Sequence, residues 1–420
     1  VSMDDLPQNG SGARRPGSAA SAAPPRRLHL LALNPTDSVS EGFLPAAGRL
    51  GLDVTLLTDQ PAAHRERHPE LSVVHCEVRD FRQVLDRIEA GGGTDAVFTN
   101  SDHLQTQAAL AADFLGLPGK DWRAALRCKN KAQLRRALAA AGADTVAHHE
   151  LLPGDDPAEL PEPPWPCVVK PREGVASEDV FRCADRTELM RRCREIRARR
   201  PADALIVEEY LDGELHTLET LGDGRTLHAL AGFRTELSPP PHFVEERLRL
   251  LPALPEPHTA RLLDQLRVLG VGLGACHTEY VVQGDRARII EVNYRAIGDQ
   301  CDLVLAELLD VPLFEHILSV HLGHELPRSL GARTDGRAVM EYVLADRPGR
   351  LTAAPPAART EAGGVRLDYR PLRAVGETHP VYRTNRDFLG VLRATGSDQR
   401  RVEAAVRDFL AAHRWEITPC

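Results

Sequence analysis

HTEYVVQGDRARIIEVNYRAIG, His277–Gly298, is the stretch from which the rest of the chain can be read. Its tail, I-I-E-V-N-Y-R, alternates. Two-residue periodicity puts Glu291, Asn293 and Arg295 on one side of an extended segment and Ile290, Val292 and Tyr294 on the other. Upstream, Glu279 lies ahead of a turn at Gly284-Asp285. Two strands joined by that turn place Glu279 near Glu291 and Asn293. Two carboxylates and an amide oxygen are hard donors. They suit Mg²⁺, with Mn²⁺ as an alternative, held jointly with substrate phosphates. Arg295 is placed to reach the same phosphates or an oxyanion. A hairpin with a merely solvated acidic face reads the same way, so the choice rests on the remaining chain.

Composition narrows the field. The chain has 420 residues, 42% of them hydrophobic, which implies several domains. A formal net charge of -8 and no basic tail argue against nucleic acid. The eight cysteines are scattered, with no CxxC or zinc spacing. No run is long enough to span a membrane, and no apolar signal-peptide core precedes Arg26. The expected location is a reducing cytoplasm. Only four of the 52 basic residues are lysines: Lys120, Lys129, Lys131 and Lys170. Where arginine is the default cation, a retained lysine points to a need for a compact ammonium.

Residues 1–26 carry little to pack and read as a disordered extension. From Leu28, apolar runs at 28–34, 53–59, 72–78 and 95–100 alternate with helical patterns at 42–51, 80–90 and 103–116. That is the order of a parallel α/β domain. A dinucleotide-binding fingerprint is absent after the first strand, which continues N-P-T-D-S-V-S. A helix is expected over 126–142, with Lys129 and Lys131 near its start, where a phosphate would supply a partner. Lys170 ends an apolar strand directly before Pro171, and a small-residue loop, Gly174–Ser177, follows. Its amides and Ser177 are suited to covering phosphates. A helix is expected over 185–199. Residues 204–221 read as strand, Glu208-Glu209, a tight turn at Asp212-Gly213, and strand. A linker of that kind can offer backbone groups to an adenine edge, and Glu214 can accept from ribose hydroxyls; a charged hairpin loop is the plainer reading. The 238–242 break reads as a loop lining a substrate site. Helices are expected over 258–272 and, split at Pro312, over 301–323. Asp299 and Asp302 are candidates for holding an ammonium group, or simply acids at a helix N-terminus. Residues 337–412 suggest a strand-rich cap closed by a helix.

In this order the stretches resemble the ATP-grasp carboxylate–amine ligases, in particular their L-amino acid ligase-like branch, over about 28–325. The resemblance rests on Asn130-Lys131 opening a helix, Lys170-Pro171 ending a strand, the hinge Glu208-Glu209-Tyr210-Leu211-Asp212-Gly213-Glu214, and the Glu279, Glu291-x-Asn293-x-Arg295 set. The hinge is one residue shorter between glycine and glutamate than the family pattern. The resemblance implies an α/β and α+β chain of the ATP-grasp fold. It divides into an extension (1–26), a parallel preATP-grasp α/β domain (27–120), a helix plus small subdomain (121–222, with a lid over 166–213), a large subdomain (223–330) and a C-terminal lid or cap domain (331–420).

The implied chemistry is amide or peptide bond formation through an acyl phosphate, with release of ADP and phosphate. ATP would contact Lys131, Lys170, Ser177, Glu208, Glu209, Leu211 and Glu214; Mg²⁺ would sit on Glu279, Glu291 and Asn293. Arg295 and Lys170 would act in catalysis, and His277, Arg295 and Gly298 would meet substrate. The implied partners are a small carboxylate and an amine, with a homodimer as one possible assembly. The competing readings are a non-catalytic nucleotide-binding module, a carboxylate kinase and a carboxylase-like enzyme.

Overall fold

A computed structural model describes residues 25–330 and 335–419. The extension expected over 1–26 lies outside the described residues except for Pro25 and Arg26. The first unit is a parallel sheet in the order Ser72–His75, Asp53–Thr58, Arg27–Leu31, Ala96–Phe98. Parallel pairing needs crossovers. The helices Leu44–Arg49, Pro61–Arg67 and Phe81–Ala90 supply them. Strand order reverses between Arg27–Leu31 and Ala96–Phe98, so the loops leaving these two strands diverge and open a crevice.

The helix expected over 126–142 is two helices, Trp122–Lys129 and Lys131–Ala140. Asn130 breaks it. Its backbone is extended, and its side chain accepts the Gln133 amide at 3.0 Å, so it caps the second helix instead of continuing the first.

A small antiparallel sheet follows, in the order His148–Leu151, Leu205–Glu209, Cys167–Pro171, Phe181–Cys183, backed by helix Arg186–Arg199. The tight turn expected at Asp212-Gly213 is not a hairpin. Leu205–Glu209 belongs to the small sheet and Leu215–Asp223 to a different one, so residues 210–214 link two sheets.

The second sheet has ten strands. From one edge it runs Arg286–Asn293, Leu273–Gln283, Leu215–Asp223, Phe233–Leu237, Glu245–Leu250, Arg337–Leu344, Phe388–Gly396, Val365–Pro371, Ala358–Ala362, with Leu227–Ala231 also paired to Leu215–Asp223. The C-terminal segment, expected as a strand-rich lid or cap, continues this sheet through the Arg247–Glu341, Leu248–Met340 and Arg249–Val339 pairs. The helices Cys301–Leu309 and Leu313–His321 pack against the first unit in a shared core. There the Phe43 ring lies 4.6 Å from that of Phe98 and 4.9 Å from that of Phe314. Each such buried ring contributes about 2–3 kcal/mol.

Gly222 pairs with Gly274 across the large sheet, and a Cβ there would collide with the carbonyl oxygen of Gly272. We expect Gly222→Ala to lower stability by about 2–3 kcal/mol. Urea unfolding checks this: an unchanged midpoint would mean the strands part more easily than this packing allows.

Candidate active site

The two sheets and the first unit enclose a cavity of about 640 Å³. The loops after the two strands at the order reversal, Leu33–Val39 and Asn100–His103, form one wall. The hairpin Leu273–Gln283/Arg286–Asn293 forms the floor. Its register pairs His277 with Asn293 and Glu279 with Glu291. It then shifts, pairing Tyr280 with Ile289, so Ile290 is an extra residue in a bulge. Strict alternation assigned Ile290 to the face opposite Glu291. The bulge turns both toward the cavity, where Ile290 joins Leu211 and Val281 in an apolar cluster.

The sequence-read residues converge here. Lys131, Lys170, Gly174–Ser177, Glu208, Glu209, Leu211, His277, Glu279, Glu291, Asn293, Arg295 and Gly298 all line the cavity. Glu214 does not; it is exposed and paired with Arg234 at 2.5 Å. Asp299 lines the cavity, whereas Asp302 is fully buried beside it, accepting the Leu303 amide at 2.9 Å. The 238–242 loop docks on the small sheet, Pro241 accepting the Arg182 amide at 3.3 Å; its flanking residues Leu237 and Phe243 line the cavity and the loop itself does not.

Each lysine has a protein partner. Lys131 Nζ donates to Glu291 Oε1 at 2.8 Å and to the Gly174 carbonyl at 3.1 Å. Burial pulls its pKa down, but Glu291 outweighs that and holds it above the ordinary value. Lys170 Nζ lies 3.1 Å from Glu208 Oε2, and burial pulls its pKa down against that carboxylate. Lys129 pairs with Asp102, not with an open phosphate position.

Arg135 and Glu219 were missed in the sequence, and Lys120 was singled out only as one of the four lysines. Arg135 holds Glu208 through Nε–Oε1 at 3.1 Å and Nη2–Oε2 at 3.0 Å, and donates to the Ile289 and Ile290 carbonyls. Burial raises the Glu208 pKa, yet Arg135 and Lys170 prevail and hold it at about 2. Glu219 lies 2.8 Å from His277 Nδ1, and Glu279 lies 3.6 Å from Nε2. Burial depresses the histidine, but the two carboxylates lift it to about 10. Lys120 is buried behind the floor, donating to Gln105 Oε1 at 2.7 Å and to the Tyr294 carbonyl at 2.5 Å. Burial lowers its pKa to about 7. Among the described residues no cluster of three or more His, Cys, Asp or Glu could hold a metal. Glu279, Glu291 and Asn293 instead offer three oxygen donors on the cavity floor, a set that could hold a hard divalent cation such as Mg²⁺.

A family description reading "ATP-grasp domain" matches residues 163–303. The L-amino acid ligase from Bacillus licheniformis superposes with a TM-score of 0.76 at 21% identity, over 94% of this chain and 99% of that one. The fold is that of the ATP-grasp superfamily. Phosphoribosylglycinamide synthetase from Anaerococcus prevotii shares this ATP-grasp fold with a TM-score of 0.70 at 13% identity, over 94% of this chain and all of that one (100%). In sequence, the chain is 24% identical to the uncharacterized protein y4rH of Sinorhizobium fredii, over 96% of this chain and 86% of that protein. No helix among the described residues is long and apolar enough to cross a membrane.

Within this ATP-grasp fold, Glu208 is the test of the buried network. Glu208→Gln leaves Arg135 and Lys170 short of a counter-charge, and we expect it to cost about 3–5 kcal/mol at neutral pH. A carboxyl held down at about 2 against an ordinary 4.5 contributes stability that is present above 4.5 and lost as pH falls toward 2. The gap between wild type and variant in urea midpoint should therefore close over that window. A gap unchanged down to about pH 2 would exclude charge as its origin.

Proposed function

We propose that this protein is an ATP-dependent ligase that joins a small carboxylate, such as an amino acid, to an amine. One observation carries the reading. A single cavity is lined by two lysines with a small-residue loop, and by Arg295 with the carboxylates Glu245 and Asp299. The lysines and loop suit a triphosphate and are the phosphate end of this reading. Arg295 and its carboxylates suit a substrate bearing both a carboxylate and a cationic nitrogen, and are its substrate end.

In this reading the apolar slot of Val168, Leu211, Val281 and Ile290 takes the adenine, and the Glu209–Leu211 link offers its backbone. Arg135 and Arg288 occupy the Glu208 and Glu209 carboxylates, so these two acids shape the link instead of binding base or ribose. Glu214 would have to leave Arg234 to meet a ribose. Lys131 and Lys170 neutralise the phosphates, and Ser177 with its loop covers them. Glu279, Glu291 and Asn293 would hold Mg²⁺, or Mn²⁺, which would supply further phosphate neutralisation when bound.

The carboxylate oxygen attacks the γ-phosphorus, and ADP leaves. The amine nitrogen then attacks the acyl carbon, phosphate leaves with the bonding pair, and the proton that the nitrogen gives up ends on that phosphate. Arg295 serves the negative charge that builds on the carbonyl oxygen. Its one side-chain hydrogen bond among the described residues, to the Ala296 carbonyl at 2.9 Å, leaves most of the guanidinium to face the cavity. Burial, with Glu279 and Asp299 nearby, raises Glu245 to about 8, an environment that a substrate cation would relieve.

Phosphate release with Mg-ATP across a grid of amino acids, other small acids and amines, followed by mass spectrometry, tests the reaction. The expected product is lighter than its two substrates together by one water. A phosphorylated acid without condensation would make the protein a kinase, and bicarbonate-dependent ADP release would make it a carboxylase. On the active pair, Arg295→Met should cut kcat by about 10²–10³ with ATP affinity retained. Lys170→Met should weaken ATP binding itself.

A further inference from the structure

The C-terminal segment carried no readable motif, yet two of its residues, Tyr342 and Asn385, line the cavity. Residues 382–387 form a tight turn built around Asp387, which is buried. Its Oδ1 accepts the Tyr382 amide at 2.9 Å and lies 2.9 Å from His379 Nε2; its Oδ2 accepts the Arg383 amide at 2.7 Å. Thr384 Oγ1 accepts the Arg386 amide at 3.2 Å. These bonds fix Asn385 at the tip, lining the cavity.

Asn385 faces two ways. Its backbone amide donates to the Ala176 carbonyl at 3.4 Å, in the loop over the phosphate end. Its side-chain Oδ1 accepts the Glu245 amide at 3.1 Å, at the substrate end. The adjacent Arg386 pairs with Glu178, which Arg200 of the small-sheet unit also holds. The loop needs such ties. Ala176, Ser177 and Asp179 all have φ near +55°, at 56°, 55° and 56°. Non-glycine residues keep that conformation only where their surroundings enforce it.

We propose that Asn385 is a positioning residue that couples closure of the 174–179 loop to the substrate-end strand carrying Glu245. The proposal rests on the ligase reading for its purpose, which is to keep water from an activated acid until the amine is seated. The coupling itself is a property of the folded chain and can be measured without substrate. One or two hydrogen bonds of this kind shift an open–closed ratio by a factor of about 5–30.

Amide hydrogen exchange of the full chain without ligand is the first measurement. In Asn385→Ala, the 175–179 amides and the Glu245 amide should exchange faster together, by about 5–30-fold, while the Asp387-bonded amides of Tyr382 and Arg383 stay protected. In Arg386→Gln, which leaves Asn385 in place, the loop should loosen and the Glu245 amide should exchange faster with it, an independent variant if the first folds poorly; a loosened loop with the Glu245 amide unchanged would overturn the coupling. An unchanged loop in Asn385→Ala, or equal loosening of the whole 382–387 turn, would overturn the coupling. Once an active acid–amine pair is known, Asn385→Ala should raise ADP formed per product molecule, and a conserved ratio would overturn the stated purpose. Absence of any turnover in wild type would refute the ligase reading and leave the exchange result standing.

Discussion

The Arg135 guanidinium is the interaction on which the cavity depends. It leaves the helix Lys131–Ala140, grips Glu208 at the end of a small-sheet strand, and bonds the two carbonyls that flank the bulge in the floor hairpin. Three elements from separate parts of the chain thus meet on one planar, permanently charged group. A buried ion pair is weak evidence for stability as such, because desolvating both ions is expensive. Here the gain is geometric. Lys170 sits 3.1 Å from the same carboxylate, so Glu208 fixes where that ammonium stands. The bulge carbonyls fix Ile290, and with it the junction between the apolar slot and the Glu291 carboxylate.

Read this way, the four lysines form one system. Lys131 and Lys170 line the cavity, Lys129 neutralises Asp102 on its wall, and Lys120 props the Tyr294 carbonyl between Asn293 and Arg295. In a chain with so strong a bias to arginine, that convergence has a physical reason. A guanidinium is a broad fork and cannot enter the space that a compact ammonium fills at Lys131, between Glu291 and the Gly174 carbonyl. Lys120 shows the same economy of space: its ammonium lies 4.4 Å from the Tyr294 ring centre as well as against that residue's carbonyl.

The floor hairpin was legible because its information is local. Alternation places Glu291 and Asn293 on one side, the short turn at Gly284-Asp285 brings Glu279 beside them, and all three line one cavity. The parallel unit was legible for the same reason, from apolar runs separated by helical patterns. What could not be read depends on partners distant in sequence. The Ile290 bulge exists only relative to the neighbouring strand. Arg135 is one arginine among many until Glu208 is placed beside it. The apparent hairpin at Asp212-Gly213 carries the same local signature as a link between sheets, because the turn does not record which sheet each strand joins. The helix start at Asn130-Lys131 came with the family resemblance, whereas periodicity alone ran one helix across it over 126–142.

The continuity of the large sheet constrains how such a cavity can work. Strands from the hairpin to the C-terminal segment are hydrogen-bonded in one surface, so the floor and the Asn385 turn cannot separate without breaking strand pairing. The small sheet is tied to that surface without strand pairing, through the 210–214 link and side-chain or single contacts such as the Arg135 grip, the Arg288–Glu209 pair, the Pro241 and Asn385–Ala176 contacts and the Glu178–Arg386 pair. In the ligase reading, motion that admits a nucleotide would belong to the small sheet and its loop, at the lower end of local stability. Arg135 lies at the inner edge of that boundary and Asn385 at the outer one. A small-sheet unit pivoting about the buried Arg135–Glu208 pair would open first at Ala176, which is where the strained loop backbone stores the most tendency to leave.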